Sequence, residues 1–171
     1  VVCRLKGDRM IAERINGKYW MYMSHRGWLA SSEDLIHWDL ETDEFGNVKC
    51  LFPEFPQQSY CRYSCEAGAA AIITQHGIVY FFNAYGEIHK PELGHCWSLG
   101  QALVSIEDMV TVKDILKSPF LIPEYEWETS GGHTKDPCIV CNTMIKWKGK
   151  WTLYYGARDH YIGCAVEDVI V

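Results

Sequence analysis

Apolar positions along the chain come in short bursts of four to eight residues, alternating with polar ones or running continuously, and Gly, Asn and Asp break the bursts. Period-two alternation puts one face of a strand into a core, and a short continuous run bounded by turn residues suits a buried strand. Stretches with helical period are short. The best is a single turn at SSEDLI (31–36), where Ser32 would cap. The pattern predicts antiparallel hairpins assembled into sheets.

One plan recurs three times, over residues 15–38, 75–110 and 147–171. Each unit opens on a turn centred on Gly17, Gly77 or Gly149, continues as an aromatic-rich strand, and returns along a second short apolar strand. Each closes on a Glu-Asp pair: Glu33-Asp34, Glu107-Asp108 and Glu167-Asp168. Corresponding pairs lie 60 to 74 residues apart, longer than the about 40–50 of WD40 or kelch repeats. Radial repetition of small sheets is the propeller solution to exposed strand edges, and four to eight blades normally close the ring. The fold class expected is therefore all-β, a partial propeller spanning 1–171 with about three blades. A segment before Val1, a partner chain or an oligomer would complete it. A compact three-sheet domain of another kind is the alternative.

Composition sharpens this picture. The 171 residues are 48% hydrophobic and 22% charged, enough for one sizeable core. Seven Trp, ten Tyr and six Phe favour pleated strands and surfaces that stack on sugar rings. A net charge of −6 without a basic run removes the electrostatic term of nucleic-acid binding. No run approaches the roughly 20 apolar residues of a membrane span, so no membrane partner is expected; the opening VVCRLKGDRM lacks a signal-peptide pattern but begins without Met and leaves export open, and a cytoplasmic location is expected from the thiols read below as free. Eight cysteines could form four disulfides on arithmetic alone, and Cys61/Cys65 with Cys138/Cys141 could be drawn as two halves of a zinc site. On an extended CIVCNTMIKW, however, Cys138 and Cys141 face opposite sides. The thiols are read as free, with no metal and no cofactor.

Particular strings carry more. SSEDLIHW after MSHRG, EAGAAAIITQHGIVYFFNA, KSPFLIPEYEWE and IKWKGKWTLYYGARDHYIGCAVEDV resemble stretches of glycoside hydrolase family 130, the mannoside phosphorylases and β-mannosidases. The likeness spans nearly the whole chain. It implies a five-bladed β-propeller, an axial site and a β-mannoside oligosaccharide as substrate. It also implies inversion at the anomeric carbon, which needs a carboxylic acid at the leaving oxygen and either a carboxylate that activates water or an attacking phosphate. The family's acid lies on the second blade, so here it is expected upstream of residue 1.

By the same resemblance Arg26 falls where phosphorylases contact phosphate, and a guanidinium suits that role or a carboxylate partner. His25 beside it is read as a partly buried ring. Phosphorylases carry a Lys before the Gly-rich strand; YSCEAGAAA has Ser64 and Glu66 instead. A carboxylate repels phosphate and polarises water, so Glu66 is the first catalytic candidate, with pairing to Arg62 or plain solvation as the alternative. Glu124, Glu126 and Glu128 alternate in PEYEWE and would share one face of a strand, answered by His133 and Lys135. Glu126 is chosen as the second catalytic candidate, against a solvated acidic edge. Asp159 in YYGARD matches an Asp that binds sugar hydroxyls, or closes a hairpin as an Asx turn. Arg158 departs from the family's commoner Ala. His133 and Asp136 complete the substrate-binding candidates, Asp136 in the DP of TKDPCIV being either a pocket carboxylate or a turn initiator before Pro137.

Three functions stay open: inverting hydrolysis of β-mannosides, phosphorolysis by inorganic phosphate, and a non-catalytic carbohydrate-binding or scaffolding propeller.

Overall fold

The computed structural model describes residues 1–90 and 92–167. In chain order its strands are β1 (Val2–Lys6), β2 (Arg9–Ala12), β3 (Tyr19–Met23), β4 (Trp28–Ser32), β5 (Asp39–Leu40), β6 (Ser64–Ala67) and β7 (Ala71–Thr74). They continue as β8 (Gly77–Glu87), β9 (His95–Val104), β10 (Val112–Ile115), β11 (Ile139–Trp147), β12 (Lys150–Ala157) and β13 (Tyr161–Val166). Helix among the described residues is confined to a 3-10 turn at Ser59–Cys61 and one α-turn, α1 (Glu126–Thr129). The protein is all-β, and none of its described helices is long and apolar enough to cross a membrane.

The strands form three sheets: β3-β4-β5, β11-β12-β13, and a central one ordered β10-β9-β8-β7-β1-β2. β6 and β7 are two halves of one interrupted strand along β8, with Ala67 opposite Phe82 and Ile72 opposite Val79. β1 departs from the antiparallel expectation and pairs parallel to β7. The reason is burial: β7 would otherwise be an apolar sheet edge, and β1 covers it with the fully buried Val2.

β8 explains why its sequence is apolar without alternation. Tyr80, Phe82 and Ala84 enter one core against Tyr22, Leu29 and Phe52, while Phe81 enters a second with Leu99, Ile139, Leu153 and Tyr155. A strand buried on both faces needs apolar residues at every position. Tyr22 meets Tyr80 edge-on at 5.1 Å, and Phe52 meets Phe82 at 5.4 Å. Phe82 lies opposite Gly100, where any Cβ would overlap its ring. Each fully buried large side chain contributes about 1.5–3 kcal/mol.

The hairpins β3-β4, β8-β9 and β12-β13 follow Gly17, Gly77 and Gly149. After the first, Asp34 accepts the Ile36 and His37 amides, each at 2.8 Å. After the second, Asp108 accepts the Val110 and Thr111 amides at 3.1 and 3.0 Å. Leu35 and Met109, one residue on, share a left-handed φ of 67° and 66°. This conformation stops the helical turn expected at SSEDLI, although Ser32 does accept the Leu35 amide at 2.8 Å. Asp168, which completes the third acidic pair, lies outside the described residues.

PEYEWE is not a strand. Residues 126–129 wind into α1, so Glu124, Glu126 and Glu128 do not share a face. Glu128 is 2% exposed and accepts the Tyr155 hydroxyl at 2.5 Å and the Glu124 and Tyr125 amides at 2.7 and 3.0 Å. Three donors satisfy that carboxylate, and they decide the local conformation over the period-two pattern. His133 and Lys135 do not answer the acids; Glu124 pairs instead with Lys90 at 3.5 Å.

Candidate functional site

A cavity of about 330 Å3 opens at the seam between the central and third sheets. Its wall takes Glu66 from β6, Asn83 from β8, Trp97 from β9, Asn142 from β11, Thr134 from the preceding loop and Asp159 from the β12-β13 turn. Among the described residues, neither Lys nor Arg lines it.

Glu66 sits opposite Asn83 in the β6-β8 ladder. The turn between β3 and β4 packs on the other side of β6: the Arg26 amide donates to the Cys65 carbonyl at 2.7 Å and the Ala67 amide to the Ser24 carbonyl at 3.0 Å. That turn carries left-handed φ at Ser24, Arg26 and Gly27, and it delivers His25 Nδ1 to 3.2 Å from Glu66 Oε1. His25 is exposed rather than partly buried. Arg62 donates to the Gln57 carbonyl and is not the partner of Glu66.

The Arg26 side chain points elsewhere. Its Nη1 donates to the Pro53 carbonyl at 2.6 Å and its guanidinium lies 4.8 Å from the Phe55 ring centroid. Arg26 therefore does not line the cavity that holds Glu66 and Asp159.

Asp159 is placed by its neighbour. Arg158, 7% exposed, donates to the carbonyls of Gly131 at 2.7 Å, Lys135 at 3.2 Å and Asp136 at 2.7 Å. The His133 amide donates to the Arg158 carbonyl at 2.8 Å. A buried guanidinium that donates to three carbonyls thus clamps loop 131–136 to the hairpin turn, where Arg158 and Asp159 both adopt left-handed φ. Asp136 accepts the Tyr85 hydroxyl at 2.7 Å, and this bond, helped by desolvation, pushes the Tyr85 phenol up to about 12. The His133 ring is exposed and meets His160 edge-on at 5.1 Å. Glu126 is exposed at the start of α1, and neither it, His133 nor Asp136 lines the cavity.

Asn83 carries the seam itself. It is 4% exposed, its Oδ1 accepts the Cys141 amide at 2.8 Å, and its Nδ2 donates to the Ala67 and Cys141 carbonyls at 3.4 Å. The ladder of β11 shifts register between Cys141 and Thr143, and the side-chain amide takes the place of a strand there. Its signal in the sequence was a lone amide inside GIVYFFNAYGE, a polar group that burial obliges to find partners.

All eight cysteines are free thiols. Burial pushes Cys138 and Cys141 up to about 11 and Cys96 up to about 12. No cluster of His, Cys, Asp and Glu able to hold a metal occurs among the described residues.

Residues 3–170 match the family model described as beta-1,4-mannooligosaccharide phosphorylase. The chain belongs to glycoside hydrolase family 130. A 1,2-beta-oligomannan phosphorylase of Thermoanaerobacter sp. (strain X514) is 30% identical to it over 168 residues, 96% of this chain and 51% of the relative. A glycosyl hydrolase structure from Bacteroides ovatus superposes with a TM-score of 0.85 at 31% identity, covering 98% of this chain and 47% of that one. A third relative comes from work on family-130 glycoside hydrolases that target beta-1,2 mannosidic linkages in Candida mannan. It gives a TM-score of 0.85 at 29% identity, over 96% of this chain and 46% of its own. The family-130 chain thus spans about half the length of the relatives it matches.

Proposed function

We propose that this family-130 chain forms the Glu66/Asp159 side of an inverting β-mannoside hydrolase. Its three sheets are read as about three blades of a five-bladed β-propeller, completed by a segment or chain outside these residues that also brings the general acid. The observation that carries the reading is the cavity lining, two carboxylates with no Lys or Arg among the residues that form it. Inorganic phosphate at that wall would meet repulsion without a guanidinium or ammonium to offset it.

In the hydrolytic step Glu66 takes a proton from a water whose oxygen attacks the anomeric carbon, on the face opposite the leaving group. The C–O bond to the leaving sugar breaks, and the acid protonates the departing oxygen. Asp159 accepts hydrogen bonds from two neighbouring sugar hydroxyls, for which an acceptor-only carboxylate is suited. The His25 ring faces Glu66 from the first sheet, its Nδ1 3.2 Å from Glu66 Oε1.

Phosphorolysis remains the second reading, favoured by the 30% identity to an oligomannan phosphorylase. A non-catalytic propeller is the third. Substitution in the protein that contains this chain separates the enzyme readings from the third. Glu66→Gln should cost about 100-fold or more in mannoside turnover while oligosaccharide binding persists. Unchanged turnover would remove Glu66 from the chemistry.

A further inference from the structure

We infer that Tyr125 and Trp127 form an aromatic shelf that holds sugar units of a longer mannan chain beyond the cavity, an inference that rests on the mannoside reading above. The two rings are nearly parallel, their planes 6° apart and their centroids separated by 6.0 Å. Trp127 continues the stack onto Tyr155 at 6.0 Å and 17°, and meets Tyr161 edge-on at 6.0 Å. Tyr125 is 61% exposed, a large aromatic face left to solvent.

The shelf is built rather than accidental. Under it the buried Glu128 binds the Tyr155 hydroxyl and the amides of Glu124 and Tyr125, so the turn that presents both rings is fixed. Gly163 makes the space: a Cβ there would collide with the Tyr155 ring and lie 2.7 Å from Trp127. A residue with any side chain at 163 would push the stack apart. The outward ring has few torsions to freeze when it binds, and a locked platform loses little further entropy.

Its position ties it to the cavity. Asp159 lines the cavity wall, and His160 and Tyr161 follow it directly, their rings 4.6 Å apart. From Tyr161 the aromatic contacts pass to Trp127 and then Tyr125. A pyranose presents a face of C–H groups, which an aromatic ring's electron-rich face attracts while hydroxyls at the sugar's edge stay hydrated. The chemical class that fits is an extended β-mannan, with one end at Glu66 and Asp159 and further units over the shelf.

Binding of β-1,2- and β-1,4-linked mannobiose and mannotetraose, followed by titration calorimetry on the protein that contains this chain, tests it without relying on turnover. One of the two tetraoses should bind about fivefold to tenfold more tightly than its biose. Tyr125→Ala should abolish that gain and leave biose affinity unchanged, whereas Tyr125→Phe, which keeps the ring face, should retain it. The hydrogen bonds that Tyr125 makes to Glu128 and within α1 run through its backbone, and Tyr125→Phe, which also keeps the stack on Trp127, separates loss of the sugar contact from any loosening of the turn. Equal affinity for both lengths, or a gain that survives Tyr125→Ala, overturns the shelf and leaves the mannoside reading standing. Failure of every mannoside to bind sinks both.

Discussion

His25 Nδ1 and Glu66 Oε1 lie 3.2 Å apart across the joint between the first and central sheets, so the catalytic candidate is held by a residue 41 positions upstream. The β3-β4 turn reaches Glu66 because its backbone extends the β6 edge through Arg26 and Ala67. His25→Ala should therefore lower turnover by about tenfold without unfolding the protein, since the pair is largely solvent-facing and such pairs contribute about 0–1 kcal/mol to stability. A change in melting midpoint matching the loss of rate would assign His25 a structural part instead.

Asn83→Ala removes the amide that closes the seam and leaves the buried Cys141 amide without its acceptor. The expected cost is about 1–3 kcal/mol by urea unfolding. Asn83→Asp should do no better, because a carboxylate cannot donate to the Ala67 and Cys141 carbonyls. Full stability in either variant contradicts the seam's description.

Arg158→Ala should destabilise the fold by about 2–3 kcal/mol, since three carbonyls lose a charged donor in a buried place. Lysine cannot match that fork, so Arg158→Lys should recover little. Loop 131–136 loosens in both variants, and faster amide exchange at His133 is the direct readout.

Alkaline stability follows from the buried thiols. Cys138 and Cys141 rise from an ordinary 9.0 to about 11, so folding favours their neutral form. Their stabilisation is complete below about pH 9 and drains away as pH climbs through 11. Tyr85, raised from 10.0 to about 12, acts the same way between those values. Urea midpoints under reducing conditions should fall between pH 8 and 10.5. A flat profile over that range contradicts the burial assigned to the Cys138 and Cys141 thiols.

Much of the fold could be read from the chain because strands declare themselves by period. Hairpins follow Gly17, Gly77 and Gly149, and Asp34 and Asp108 each accept turn amides, features that local pattern can declare. PEYEWE misled because its alternation is real but irrelevant: Glu128 has a buried hydroxyl and two amides to satisfy, and local hydrogen bonds override a six-residue pattern. Parallel pairing of β1 with β7 and the seam at Asn83 are long-range facts, invisible to local periodicity. In the site, Glu66 and Asp159 meet in one cavity while Arg26 stacks on Phe55. A motif fixes where a residue sits along the chain, but its rotamer depends on neighbours such as Pro53 that the motif does not contain.

The most direct measurement is the dependence of product on phosphate. β-Mannobiose is incubated with the protein that contains this chain, with and without inorganic phosphate, and the anomeric protons are followed by NMR from the first turnovers. Hydrolysis at the Glu66 cavity predicts α-mannose as the initial sugar product, formed at the same rate in both samples. Mannose 1-phosphate appearing only when phosphate is present would contradict the account.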